Sequence, residues 1–291
     1  MLNFMRYRLV YLLISSLILV PGLFTLVTKG LRPAIDFTGG TLMEIKVENQ
    51  QKQPTVDEIK KVIEGVSIDV GSIQPTSQQS FVIRLKPLEK DQHEKLSGDL
   101  TKAFGQINEI RFETIGPTLG RELLEKTFVA SIIAIIIILL YVAWAFKNIR
   151  FGVSAIVALI HDLLVVISVF ALLGVFKGIE VDSLFVTAIL TTMSFSVHDT
   201  IVVFDRIREF QKRGGRSTFE QQINQALTET MGRSLNNSLT IIFMLLALFL
   251  LGGDSVKWFA FALLVGTISG TYSSPFVATP ILYTWSKLRN N

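Results

Sequence analysis

Six runs of apolar residues, at 9–27, 128–146, 153–176, 184–204, 235–251 and 259–283, constrain this chain more than any other feature of it. About twenty apolar residues at a helical rise of 1.5 Å cross a hydrocarbon layer roughly 30 Å thick. Helix is the form such runs must take there, because lipid offers no partner to an open backbone group. The bulk fractions, 49% hydrophobic and 18% charged, would suit a water-soluble chain, but the clustering and a mean hydropathy of +0.48 do not. The chain therefore reads as a polytopic α-helical membrane protein with six transmembrane helices. Arg6 and Arg8 ahead of the first run would suit a cleaved signal. That run is longer than a usual signal core and lacks a small-x-small site after it, so it reads as an anchor.

Basic residues mark alternate joints between the runs: Arg6 and Arg8, then Lys147 and Arg150, then Arg206, Arg208, Lys212, Arg213 and Arg216, and last Lys287 and Arg289. By the positive-inside rule that side is cytoplasmic, which places both termini inside and the long charged stretch after the first run outside. Orientation accounts for these charges, so no nucleic-acid partner is implied. With no cysteine there is neither a disulfide nor a thiolate metal site, and no cofactor or metal is implied.

The outer stretch has the punctuation of a small α+β domain. Asp36-Phe-Thr-Gly-Gly-Thr41 reads as a glycine turn or bulge feeding an alternating strand from Leu42. A phosphate-cradling loop would need a following Gly-Lys-Ser/Thr and a helix, and has neither. Helices are expected at 55–64 and 90–104, and strands near 66–73, 81–86 and 107–114. Thr55 with Glu58 after Pro54 fits a capping box. The order βαββαβ predicts a ferredoxin-like, split-βαβ domain. His93, among Asp91, Gln92, Glu94 and Lys95, reads as part of a solvated helix face. The boundaries expected are 1–28 for the first segment and helix, 29–120 for the extracytoplasmic domain, and 121–291 for the remaining helices, with a cytoplasmic loop near 205–230. Gly116, Pro117 and Gly120 at the domain-membrane joint suit a hinge, and an ordinary linker turn equally.

Ionisable groups inside the apolar runs are the functional candidates, because a charge at mid-depth costs at least about 2.5–3.5 kcal/mol. Asp199, preceded by His198, lies about 10 Å from the charged edge at Arg206 by helical rise, and Asp162, preceded by His161, roughly 16 Å from the edge at Arg150. For Asp162 two readings stand: bridging to a neighbouring helix's hydroxyls, or handling a proton. Arg233, Asn236 and Asn237 enter from the same side as Asp199, offering a guanidinium and two amides to that carboxylate. Gly266, Ser269, Gly270, Ser273 and Ser274, ahead of Pro275 and Pro280, read as close helix packing in a helix that bends.

Asp36-Phe-Thr-Gly-Gly-Thr41, Gly116-Pro117 with Gly120, Leu159-Ile-His-Asp162, the string from Asp199 to Glu209, and Gly232-Arg233-Ser234 resemble, in order and spacing, the bacterial SecF family of protein-export membrane proteins. The resemblance covers the whole chain. It implies an RND-superfamily half that works with SecD, the SecYEG channel and the SecA motor on exported unfolded polypeptides, using the proton-motive force in the cytoplasmic membrane. It matches Asp199 to the family's functional fourth-span aspartate and Arg233 to its fifth-span arginine. One departure is His198, where the family usually has Asn before the aspartate, and a histidine there adds a second titratable group. A proton-coupled transporter half for a small solute or metal ion, with both His-Asp pairs as ligands, is the alternative. An intramembrane protease would need a His-Glu-x-x-His or a Ser/His arrangement that is missing.

Overall fold

A computed structural model describes residues 3–48, 53–76, 80–146, 148–213 and 217–289. Lys147 and Arg216, two of the basic residues in the orientation pattern, lie outside them, as does the side chain of Arg289. The chain divides into two units: residues 33–128, and residues 1–32 together with 129–291.

Unit 33–128 starts with one helical turn, following the first long helix α1 (Arg8–Lys29); this turn is α2 (Ile35–Thr38). Then come β1 (Gly40–Val47), α3 (Val56–Gly65), β2 (Val70–Pro75), β3 (Ser80–Leu85), α4 (Lys90–Phe104) and β4 (Ile107–Ile115). The strands form one antiparallel sheet in the order β2-β3-β1-β4, with Met43 opposite Ile83 and Phe112. This is the expected ferredoxin-like arrangement. Met43, Ile45, Phe81 and Ile83 meet Ile59 and Ile63 of α3 and Leu96 and Leu100 of α4 in one core. The capping box forms: the Glu58 N–H donates to Thr55 Oγ1 and the Thr55 N–H to Glu58 Oε2, at 3.3 and 2.7 Å. His93 departs from the solvated reading. It lies three residues before buried Leu96, hence on the inward side of α4, where its Nε2 is 2.8 Å from Glu109 and its ring stacks on Phe112.

Gly39 and Gly40 take φ of +70° and +132°, angles that side chains with a Cβ avoid, as the turn into β1 requires. Their surroundings add a second constraint. Helix α5 (Pro117–Ala145) begins on Pro117, and a Cβ on Gly120 in its first turn would stand 2.7 Å from the Gly39 nitrogen. Gly120 is thus a packing glycine, whereas Gly116 faces open space.

In the other unit α1 and the later part of α5 join α6 (Ile149–Lys177), α7 (Ser183–Arg213), α8 (Phe219–Leu251) and α9 (Asp254–Ser273). The last span continues through a π-type turn, Ser274–Ala278, into α10 (Thr279–Arg289). Among the described residues six helices are long and apolar enough to cross a membrane. The polar segment before the fifth run, read as part of a cytoplasmic loop, and that run itself are one element, α8. Residues 205–213 likewise belong to α7, so most of the region read as a loop near 205–230 is helical.

Helix α9 packs against α6, α7 and α8, and α1 lies along α6. Small residues set these approaches. A Cβ on Gly266 would stand 2.2 Å from Thr192 Oγ1 of α7, and one on Gly22 would stand 2.2 Å from Ser168 Cβ of α6. Close backbone approach is what binds helices where the surrounding solvent is as apolar as their side chains. The outer faces of α1 and α5 stay bare, with Leu17 78% and Trp144 78% exposed.

Candidate functional site

Asp162 is fully buried and His161 nearly so, at 0% and 9% exposure. Helix α6 points the carboxylate at α7 and α9, whose serines answer it: Ser196 and Ser273 donate to Oδ2 and Ser269 to Oδ1, each at 2.6 Å. His161 Nδ1 lies 3.0 Å from Oδ1, and its Nε2 lies 2.9 Å from Ser15 Oγ of α1. All the contacts on the carboxylate suit a group that only accepts, and they join four helices at one point. Of the two readings of Asp162, bridging to neighbouring hydroxyls describes its geometry.

The serines of α9 were legible in the sequence only as small packing residues. They are both small and donating: spaced at three and four residues, Ser269, Gly270 and Ser273 share the stripe of α9 that faces α6 and α7. The Ser196 contribution had no sequence signal beyond its place three residues before Asp199.

Asp199, on the other side of α7, faces α8. Ser234 and Ser238 of α8 lie close enough to act on its carboxylate. A cavity of about 20 Å³ opens beside it, lined by His198, Asn237, Ser238, Thr267 and Thr271 among others. That is room for one water. The buried Thr267 Oγ1 has no protein partner. Thr271 of α9 donates to Ser238 at 2.7 Å, and Ser273, two residues on, bonds Asp162. Hydroxyls of α9 therefore stand between the two carboxylates.

Arg233 is placed differently from the sequence expectation. It is exposed and lines a groove with Asp205, Arg206, Glu209 and Glu229, and among the described residues no ion pair joins it to Asp199. The neighbouring Ser234 takes that position, because one residue turns a helix by about 100°. Asn237, one turn beyond Arg233 on the same stripe, does reach the Asp199 cavity, while Asn236 points outward and is exposed. His198 lines the cavity yet is exposed. At the charged end Arg206 bridges α7 to Glu229 of α8, and Arg208 pairs with Asp205 at 3.2 Å.

Among the described residues no group of three or more His, Asp and Glu could hold a metal ion. His161 in particular has both ring nitrogens engaged by Ser15 and Asp162.

Residues 96–288 match the family described as protein export membrane protein SecD/SecF, C-terminal, and residues 24–51 match the SecD/SecF GG motif, which contains the Gly39-Gly40 turn. A protein translocase subunit SecF from Thermobaculum terrenum is 42% identical over 98% of this chain and 94% of its own length. Another, from Anaerolinea thermophila, is 37% identical over 98% and 94%. A crystal structure of SecDF, a translocon-associated membrane protein from Thermus thermophilus, superposes with a TM-score of 0.86 at 31% identity. That match covers 98% of this chain and 39% of the SecDF chain, so this chain spans about two fifths of the longer one. Both segments matched by the family and nearly full-length relatives at such identity establish one thing about descent: the chain belongs to the SecF family of protein-export membrane proteins.

Proposed function

We propose that this chain is a non-enzymatic subunit of the Sec export machinery. With SecD it uses the proton-motive force to help unfolded polypeptides across the cytoplasmic membrane of a bacterium, beside the SecYEG channel and the SecA motor. Both termini lie inside, and the ferredoxin-like domain lies outside, where it meets the exported chain. The observation that carries this reading is Asp199 in its one-water cavity between α7, α8 and α9, in a chain whose relatives are named translocase subunits.

The cavity supplies what a proton switch needs. Protonated, Asp199 asks little of its surroundings beyond the nearby Ser234 and Ser238 hydroxyls. Ionised, it has a larger demand, which the Asn237 amide and the Arg233 guanidinium, one turn away on the same stripe of α8, can meet if the helices turn slightly against each other. A water held by Thr267, Thr271 and Asn237 would carry the proton to it, with His198 as an adjacent exchange point. Moving one charge through the membrane potential supplies about 2.3 kcal/mol per 100 mV, enough to bias two packings of similar energy. Gly116 and Pro117, at the start of α5, are where that repacking would be passed on, with Gly120 holding the turn to Gly39. His161 and Asp162 form the fixed pivot against which α7 and α9 repack.

Asp199→Asn tests this. The variant should assemble with SecD and lose the export that depends on a proton gradient in membrane vesicles, while SecA-driven, gradient-independent export continues. Gradient-dependent export at the parental level would end the proposal. The solute or metal transporter reading gains nothing from the site, since His161 has no nitrogen free to bind a metal.

A further inference from the structure

A second site lies between the first turns of α1 and the last helix, lined by none of the residues that hold either carboxylate. The π-type turn Ser274–Ala278, closed by the Thr279 N–H donating to the Ser274 carbonyl and flanked by Pro275 and Pro280, diverts the chain into α10. Between α10 and the first turns of α1 this leaves a groove of about 830 Å³, a volume typical of sites that enclose a ligand. Leu9, Leu12, Phe276, Pro280 and Trp285 wall it, and Arg8 is the one charged residue lining it.

Arg8 stands at the start of the membrane-spanning part of α1, with Arg6 and Lys287 exposed nearby in sequence on the same two segments. Its guanidinium lies over the Tyr283 ring at 5.5 Å. A carboxylate faces the same ring: Glu220 of α8 accepts the Tyr283 hydroxyl at 2.7 Å. Among the described residues Arg8 makes no ion pair with Glu220. A cation against an apolar wall at a membrane edge favours an anion that brings its own apolar tail. Trp285 of the same groove is the residue type that settles at headgroup depth. We propose that this groove binds one anionic phospholipid, with its phosphate on Arg8 and an acyl chain along Leu12 and Phe276.

The test uses Trp285 as the reporter. The chain has three tryptophans, and Trp144→Phe with Trp258→Phe leaves Trp285 alone. The full-length variant is reconstituted in vesicles of phosphatidylcholine and phosphatidylglycerol in which either one or the other carries brominated acyl chains, which quench indole on contact. Brominated phosphatidylglycerol should quench Trp285 as if enriched about fivefold over its bulk fraction, the preference one near-surface cation confers. Arg8→Gln should abolish the enrichment, Arg8→Lys should keep most of it, and Lys287→Gln, outside the groove, should leave it unchanged. Equal quenching by both lipids overturns the proposal. So does equal loss in Lys287→Gln and Arg8→Gln, which would mark a diffuse surface potential, and so does a Trp285 shielded from both lipids, as a covering protein segment would leave it.

Discussion

Replacing Asp162 by Leu should destabilise the membrane unit by about 3 kcal/mol, without touching the residues that face Asp199. The magnitude follows from the contacts. The substitution keeps the branched shape, with two methyls bulkier than the oxygens they replace, and removes the acceptor of three interhelical hydrogen bonds, from Ser196, Ser269 and Ser273. Interhelical bonds in membrane proteins are worth about 0.6 kcal/mol on average and about 1.7 at most, which brackets the loss between roughly 2 and 5 kcal/mol. A charged acceptor moves each bond toward the upper value. The freed hydroxyls have a partial refuge that moves it back: Ser273 Oγ already lies 3.3 Å from the Gly270 carbonyl of its own helix, and a serine in a helix can turn to such a carbonyl. His161 has no such refuge and loses its Nδ1 partner outright.

Two further variants divide the effect. Asp162→Asn keeps one oxygen and fills the same space, but sets an amide donor against two of the hydroxyls, so it should cost about half as much as Leu. Ser273→Ala alone should cost about 1 kcal/mol. Detergent-solubilised protein unfolded with increasing mole fraction of SDS, followed by tryptophan fluorescence, measures all of these on one scale. If Asp162→Leu unfolds within about 0.5 kcal/mol of the parent, the carboxylate does not join the helices and the pivot assigned to it is wrong.

Gly266→Ala should destabilise the same unit by about 1–3 kcal/mol, since its Cβ would overlap the Thr192 side chain at 2.2 Å, and Thr192→Gly in the same chain should recover most of the loss in the SDS assay. Thr55→Ala should cost about 1 kcal/mol at the start of α3, seen as faster amide hydrogen exchange confined to that helix's first turn. Gly39→Ala combines a φ of +70° with a Cβ placed 2.8 Å from Pro117 Cα, so it should cost at least about 1–2 kcal/mol, read as quicker proteolysis within residues 33–128.

The fold was legible wherever the signal repeats. Six apolar runs become six helices, and the strand-helix order with Thr55 and Glu58 becomes a four-stranded ferredoxin-like sheet. What was not legible is where a helix continues past its apolar part. The fifth run ends at its polar flank in the sequence, yet α8 extends over it from Phe219, because Thr218 caps that end with Gln221 and no residue between 219 and 235 breaks the backbone bonds. Hydropathy reports the solvent a helix sits in and is silent on where it stops.

The candidate site divides along a similar line, into depth and azimuth. Depth is a count of residues from a charged edge, so the sequence placed Asp199 and the α8 segment from Arg233 to Ser238 at matching levels, and the structure sets Asn237 and Ser238 of that segment beside Asp199. Azimuth depends on which neighbour a helix turns toward, and a step of one residue is a rotation of about 100°. That step separates Ser234, close to Asp199, from Arg233, which shares a groove with Asp205 and Glu229. It also separates the roles of the two acids. Asp162 has its lone pairs filled by hydroxyls from two helices and His161, so a change in its charge would break a joint. Asp199 meets two hydroxyls and a cavity the size of one water, so a change in its charge alters which residues of α8 suit it best. Of the two, the second is the carboxylate to which the proposed proton switch is assigned, because its proton would move helices without dismantling them.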